Sequence, residues 1–104
     1  MEIKVDIRNF ESLLQTDKPV MIDFWAAWCG PCRMLGPVIE EVAKEFEDKA
    51  VVGKCNIDEN DELANAMRIT AVPAVYFFKN GKVVDTVVGV NPKAVYVSKL
   101  NSLL

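Results

Sequence analysis

The chain contains no histidine. That absence excludes His-based general acid–base chemistry, Cys–His proteolysis and every zinc site that needs imidazole. Cysteine is scarce as well, with three in 104 residues. An odd, small number argues against the densely stapled scaffold of a small secreted domain. No cluster of lysine and arginine stands out, and the net charge is −3, so nucleic-acid binding has no electrostatic support. No apolar run approaches the length of a membrane span. The first residues, Met1-Glu2-Ile3-Lys4-Val5-Asp6, mix acidic and apolar types and lack the basic-then-apolar shape of an export signal. A reducing, cytoplasmic setting is therefore expected. Linkers, low-complexity tracts and internal repeats are missing too. A single domain over residues 1–104 is expected, because a second core would not fit in this length.

What is present is a chain that is 51% hydrophobic, ample for a packed core, and one conspicuous motif, Trp28-Cys29-Gly30-Pro31-Cys32. Two thiols at this spacing can close a small disulfide ring. The motif follows an apolar run, Val20-Met21-Ile22-Asp23-Phe24-Trp25, and precedes a long amphipathic segment. A helix starting at the first cysteine would aim free N–H groups and its positive dipole end at that sulfur, which lowers a thiol pKa and makes a nucleophile. Strand, CxxC, helix is a redox pattern. Zinc is the competing use of CxxC. A closed site takes four ligands, and here only Cys55 offers a third thiolate. Nor do Trp28, Gly30 and Pro31 make sense as core filler.

Periodicity organises the rest. Residues 2–7 alternate weakly and read as an edge strand. Asn9 to Leu14 reads as a short capped helix, ended by Lys18-Pro19. Residues 20–26 read as a strand buried on both faces. From Pro31 to about Phe46, apolar residues at Met34, Leu35, Val38, Ile39, Val42, Ala43 and Phe46 mark one helix face, with Pro37 expected to kink the helix. Ala50 to Ile57 reads as a strand. Asp61 to Met67 reads as a helix capped by Asn60. Ala74 to Lys79 and Val83 to Val88 are strands joined by Asn80-Gly81, a strong hairpin signal. Asn91-Pro92 opens a last helix with proline at its first position. The order β-α-β-α-β-α-β-β-α predicts an α/β fold: a mixed sheet, mostly parallel with an antiparallel hairpin, flanked by helices on both faces. Asp23 lies within an apolar strand, and Met21 and Trp25 share its face, so a buried carboxylate with a raised pKa is expected there. Cys55 reads as a small buried hydrophobe.

Taken together, Asp23-Phe24-Trp25-Ala26, the Trp28–Cys32 pentapeptide, Pro37, Lys54, Asn56-Ile57-Asp58, Val72-Pro73, Phe78-Lys79-Asn80-Gly81 and Val88-Gly89 resemble the thioredoxin family over essentially the whole chain. Departures are few. Ala74 stands where threonine is common after the proline, Arg33 where lysine is common after the second cysteine, Ala27 at a position often polar or proline, and Cys55 is an extra thiol. The resemblance implies a thioredoxin-like three-layer α/β/α sandwich. It also implies a protein-disulfide reductase that forms a reversible Cys29–Cys32 disulfide. Cys29 would be the exposed nucleophile and Cys32 the resolving thiol, with Gly30 and Pro31 setting the backbone between them. A Gly-Pro pair there is typical of reductants. Asp23 would sit behind Cys32 and move its proton, modulated by Lys54. A cis peptide at Val72–Pro73 would face the CxxC. Trp28, Ile57, Val72, Val88 and Gly89 would complete an apolar docking surface around Pro73. No metal and no bound cofactor is expected. The partners implied are disulfide-containing proteins and a flavoprotein thioredoxin reductase that passes on electrons from NADPH, with the chain itself a monomer that binds neither nucleic acid nor membrane. A non-catalytic binding or chaperone-like subunit using the same surface is the alternative, and the intact CxxC argues against it.

Overall fold

A computed structural model of the chain describes residues 2–104. Nine elements follow one another: β1 (Ile3–Lys4), α1 (Phe10–Leu13), β2 (Val20–Trp25), α2 (Gly30–Glu45), β3 (Val51–Asn56), α3 (Asp61–Ala66), β4 (Ala74–Lys79), β5 (Lys82–Val88) and α4 (Lys93–Ser102). The five strands form one sheet in the order β1-β3-β2-β4-β5. Helices cover both faces, as the alternation of strand and helix signals predicts.

The pleat explains the layering. Successive strand residues point to opposite faces. Met21 of β2, Val52 of β3, and Val75 and Phe77 of β4 pack with Leu35, Ile39, Val42 and Phe46 of α2 and its C-terminal flank, and with Tyr96 and Leu100 of α4. Their neighbours Val20, Ile22, Phe24, Cys55, Ala74 and Phe78 pack on the other face against Phe10 and Leu13 of α1 and Leu63 of α3. Within α2 the stripe Leu35, Ile39, Val42, Ala43, Phe46 is buried as its period requires, but Met34 is 70% exposed. One residue before Leu35, it lies about 100° off the stripe. Helix α2 continues through Pro37 to Glu45.

Several boundaries differ from the sequence reading. The first strand is two residues long rather than six. The carboxylate of Asp6 accepts from the N–H groups of Arg8 (2.8 Å) and Asn9 (3.1 Å) while the Asp6 N–H donates to Asn9 Oδ1 at 2.8 Å. This local turn competes with the strand and wins. Asn9 is thereby occupied and makes no side-chain cap on α1. Asn60 makes none on α3 and donates instead to the Asn56 carbonyl at 2.9 Å. Pro92 is extended (ψ 149°) and precedes the first helical residue of α4 rather than being it.

The sheet is mixed. β1 and β2 both run parallel to β3, whereas β4 runs antiparallel to β2 as well as to β5. The antiparallel part thus reaches one strand further in than the Asn80-Gly81 hairpin announces. The connection explains it. β3 ends beside Trp25 and β4 begins beside Phe24, the same end of the sheet. The intervening helix has six residues, about 9 Å of rise, too short to return the chain along a strand of about 20 Å. In the hairpin, Asn80 (φ 55°) and Gly81 (φ 79°) both adopt the left-handed region that a two-residue turn of this kind requires.

Candidate functional site

Every expected site residue lies at or near one end of the sheet, where β2 runs out into the loop before α2. Cys29 is the N-cap of α2, with extended backbone (ψ 110°). The N–H of Cys32 donates to Cys29 Sγ at 3.2 Å, so one of the free N–H groups of the helix end is spent on the sulfur. Pro31 lies in the first turn, where no backbone donor is needed. Cys29 and Cys32 are joined by a disulfide with Cα atoms 5.2 Å apart. Arg33 turns back from α2 and donates to the Ala27 carbonyl at 2.8 Å, bracing the loop that carries Trp28.

Cys29 is 5% exposed, less open than the helix-end position suggests. Ala26, Trp25, Ile57 and Val72 pack around the two sulfurs, and the Val72 carbonyl oxygen is 3.7 Å from Cys29 Sγ. The covering segment comes from a distant part of the chain, so nothing near Cys29 in sequence signals it. The Val72–Pro73 peptide bond is cis. The ring of Pro73 is buried and its carbonyl accepts from the Gly89 N–H at 2.8 Å. The accessible backbone of this segment is therefore that of Ala71 and Val72 rather than Pro73. Gly89 has φ 87°, a conformation that favours glycine, and so turns the chain back toward Pro73.

Trp28 is 67% exposed, and its Nε1–H donates to Asp58 Oδ2 at 2.8 Å. That bond ties the indole to the loop after β3. With Ile57, Ile69, Thr70, Ala71 and Val72, Trp28 lines a shallow groove of about 180 Å³ beside the disulfide. Val88 pairs with Ala74, is 61% exposed and stands outside the buried cluster around the sulfurs. Nothing local in the sequence marks Asp58 as the partner of Trp28 or the Ile69–Ala71 segment as a groove wall. Asp58 was visible in Asn56-Ile57-Asp58, but only the fold reveals its bond to Trp28.

Behind the disulfide, Asp23 is 3% exposed and its Oδ1 has no hydrogen-bond partner. Burial, and after it the negative charge of Glu2, push its pKa up to about 7, with Lys54 opposing. Asp23 and Cys32 line one cavity of about 280 Å³ together with Glu2, Trp25, Lys54 and Glu40. Lys54 is the β3 residue directly abreast of Asp23 in the sheet. It is exposed, and its charge opposes the rise of the Asp23 pKa without an ion pair to it among the described residues. Cys55 points to the opposite face and is fully buried. Burial, and second the charge of Asp6, push its thiol up to about 11, so it stays protonated at neutral pH. Among the described residues, no group of three or more His, Cys, Asp or Glu side chains is arranged to hold a metal ion. No helix among them is long and apolar enough to cross a membrane.

Two features thus converge: a helix-capping disulfide facing a cis-proline loop, and a buried carboxyl lining a cavity with Cys32. The thioredoxin family model matches residues 2–102. The chain belongs to the thioredoxin family. Among curated relatives, a thioredoxin of Rickettsia bellii is 48% identical over 103 residues, covering 98% of each chain. Thioredoxin 2 of Chlorobaculum tepidum is 50% identical over 95 residues, 90% of this chain and 87% of its own. Among solved structures, thioredoxin of Malassezia sympodialis superposes with a TM-score of 0.90 at 37% identity, covering 100% of this chain and 92% of that one. The chain is accordingly a protein-disulfide reductase, and its Cys29–Cys32 pair carries out reversible dithiol–disulfide exchange.

Proposed function

We propose the following division of labour for that exchange. In the reduced protein, Cys29 attacks a substrate disulfide as the thiolate, favoured by the N-terminus of α2. One substrate sulfur leaves, and the other is held on Cys29 as a mixed disulfide. Cys32 then gives its proton to the Asp23 carboxylate. Its thiolate attacks Cys29 Sγ, the mixed disulfide breaks, and the second substrate thiol departs. The substrate gains two electrons and the chain ends as the Cys29–Cys32 disulfide. Gly30 and Pro31 hold the two sulfurs within reach. An extended substrate segment lies along Ala71–Val72 beside Pro73, against Trp28 and Ile57, with Val88 and Gly89 at the far rim. Lys54 tunes Asp23 from the neighbouring strand. The protein works as a single domain and a monomer in the cytoplasm. A flavoprotein reductase restores its dithiol with electrons from NADPH, so the chain itself binds no cofactor.

The observation that supports this most is the shared cavity of Asp23 and Cys32. A carboxyl with a pKa of about 7 is a proton acceptor matched to neutral pH, and its cavity shares no lining residue with the groove beside Trp28. The test is reductase-coupled turnover of insulin with NADPH. Wild type should consume NADPH. Cys29→Ser should not, and should trap no substrate, whereas Cys32→Ser should accumulate mixed disulfides because its resolving thiol is missing. Equal trapping by both variants would sink the roles. Binding of target proteins that survives loss of both cysteines, with no turnover in the wild type, would favour the non-catalytic reading.

A further inference from the structure

The chemistry at Asp23 depends on how tightly it holds its proton, so its electrostatic neighbours matter as much as its burial. Lys54 of β3 faces it across the sheet. On the α2 side, Arg33 and Glu40 line the same cavity with Cys32, and Lys44 joins Glu2, Glu40 and Lys54 around an adjoining hollow of about 170 Å³. From α4, Tyr96 is close enough to feel the charge of Asp23. The remaining group comes from the start of the chain. β1 pairs with β3 through Ile3↔Gly53 and Lys4↔Lys54. The pleat therefore puts Glu2 and Lys4 on the same face as Lys54 and Asp23, with Ile3 on the other. Glu2 is half-buried and lines both the Asp23–Cys32 cavity and its neighbour.

We infer that Glu2 is a positioning residue for the proton step. Its carboxylate closes the outer side of the cavity, competes with Asp23 for the positive charge of Lys54, and thereby sets how tightly Asp23 holds its proton. Two further facts agree. The charge of Glu2 is, after burial, what most raises the Asp23 pKa. Glu2 itself is raised by burial, and Lys54 is the largest influence that holds it back, so Lys54 is a cation on which both carboxyls draw. Two carboxylates that draw on the same ammonium compete for it, and the deeper one keeps its proton longer. Glu40 faces the same space but acts on Glu2 rather than directly on Asp23. The edge strand β1 thus does more than extend the sheet: its register delivers a charge to the proton acceptor.

The inference rests on Asp23 being the proton acceptor, and the experiment separates the two. Carbon-13 NMR titration of the Asp23 carboxyl in the reduced protein reads its proton affinity directly, whatever its role. Glu2→Gln should move the Asp23 midpoint to lower pH, Glu40→Gln should move it less, and Glu2→Asp, which keeps the charge, should restore most of the wild-type value. A midpoint that does not move in Glu2→Gln overturns the inference. So does one that moves no further than in Glu40→Gln, or a Glu2→Asp variant that behaves like Glu2→Gln, since packing would then be the cause. In parallel, the rate of mixed-disulfide resolution should follow the displaced midpoint in Glu2→Gln. A resolution profile in Asp23→Asn identical to wild type would overturn the role of Asp23 as acceptor, while the NMR displacement would still decide the effect of Glu2.

Discussion

Replacing Asp23 by asparagine should stabilise the protein at alkaline pH and leave its stability nearly unchanged in acid. Asp23 titrates at about 7 in the fold against an ordinary 3.8. Below pH 4 the carboxyl is protonated in both the folded and the unfolded chain, and burial costs little extra. Between these values the folded chain binds a proton that the unfolded chain has released. Stability therefore falls as pH rises through this window and levels off above 7. About three pH units at about 1.36 kcal/mol each amount to about 4 kcal/mol of lost stability at pH 8.5. Asparagine never ionises, so it escapes that loss. Its buried amide keeps an unsatisfied group in place of Oδ1, a cost the protonated carboxyl already bears, so it cancels in the comparison. The net gain at pH 8.5 is then about 4 kcal/mol. The assay is urea unfolding of the oxidised protein and of Asp23→Asn, each at pH 4 and pH 8.5. Other carboxyls, Glu2 included, titrate in both proteins, so the difference between the two isolates Asp23. A variant that gains no more at pH 8.5 than at pH 4 would refute the reasoning, because the cost assigned to the buried charge would not exist.

Two other outcomes follow from particular contacts. Lys54→Gln removes the charge that opposes the rise of the Asp23 pKa. The Asp23 midpoint should therefore move to higher pH, opposite in sign to Glu2→Gln, and an NMR titration showing no rise would remove Lys54 from the site. Gly53→Ala would place a Cβ 2.5 Å from Val5 Cγ2 and 3.2 Å from the Ile3 carbonyl oxygen. It should cost about 1–3 kcal/mol by overpacking, part of it recovered in a Val5→Ala background. Equal losses in both backgrounds, measured by urea unfolding, would show that the clash with Val5 is not the cause.

Much of this protein is legible along the chain because it is local. The nearly continuous apolar run of β2, the stripe on α2 from Leu35 to Phe46, and the positive-φ pair Asn80-Gly81 each depend on residues a few positions apart. The same holds for Cys29 and Cys32: a strand, two thiols at that spacing and a helix start are enough to identify redox chemistry. Asp23 could be recognised as a costly buried carboxyl from the apolar residues on either side of it. Local chemistry also misled in places. The residues before α1 alternate like a strand, but the side chains of Asp6 and Asn9 close a turn that ends β1 at Lys4.

What the chain alone could not decide are relations between residues distant along it. The direction of β4 depends on which end of the sheet a six-residue helix can reach. Val72 covers Cys29 across a separation of 43 positions, and Trp28 is held by Asp58 across 30. The neighbours of Asp23 come from the residue before β1, from β3 and from α2 at once. Periodicity and turn chemistry are properties of short segments, and so the sequence by itself determined the elements, the reactive pair and the buried acid. Strand order, register and the electrostatic field inside a cavity arise only when separate segments pack. The tertiary structure alone therefore decided how covered Cys29 is, where the groove beside Trp28 runs and which charges act on Asp23.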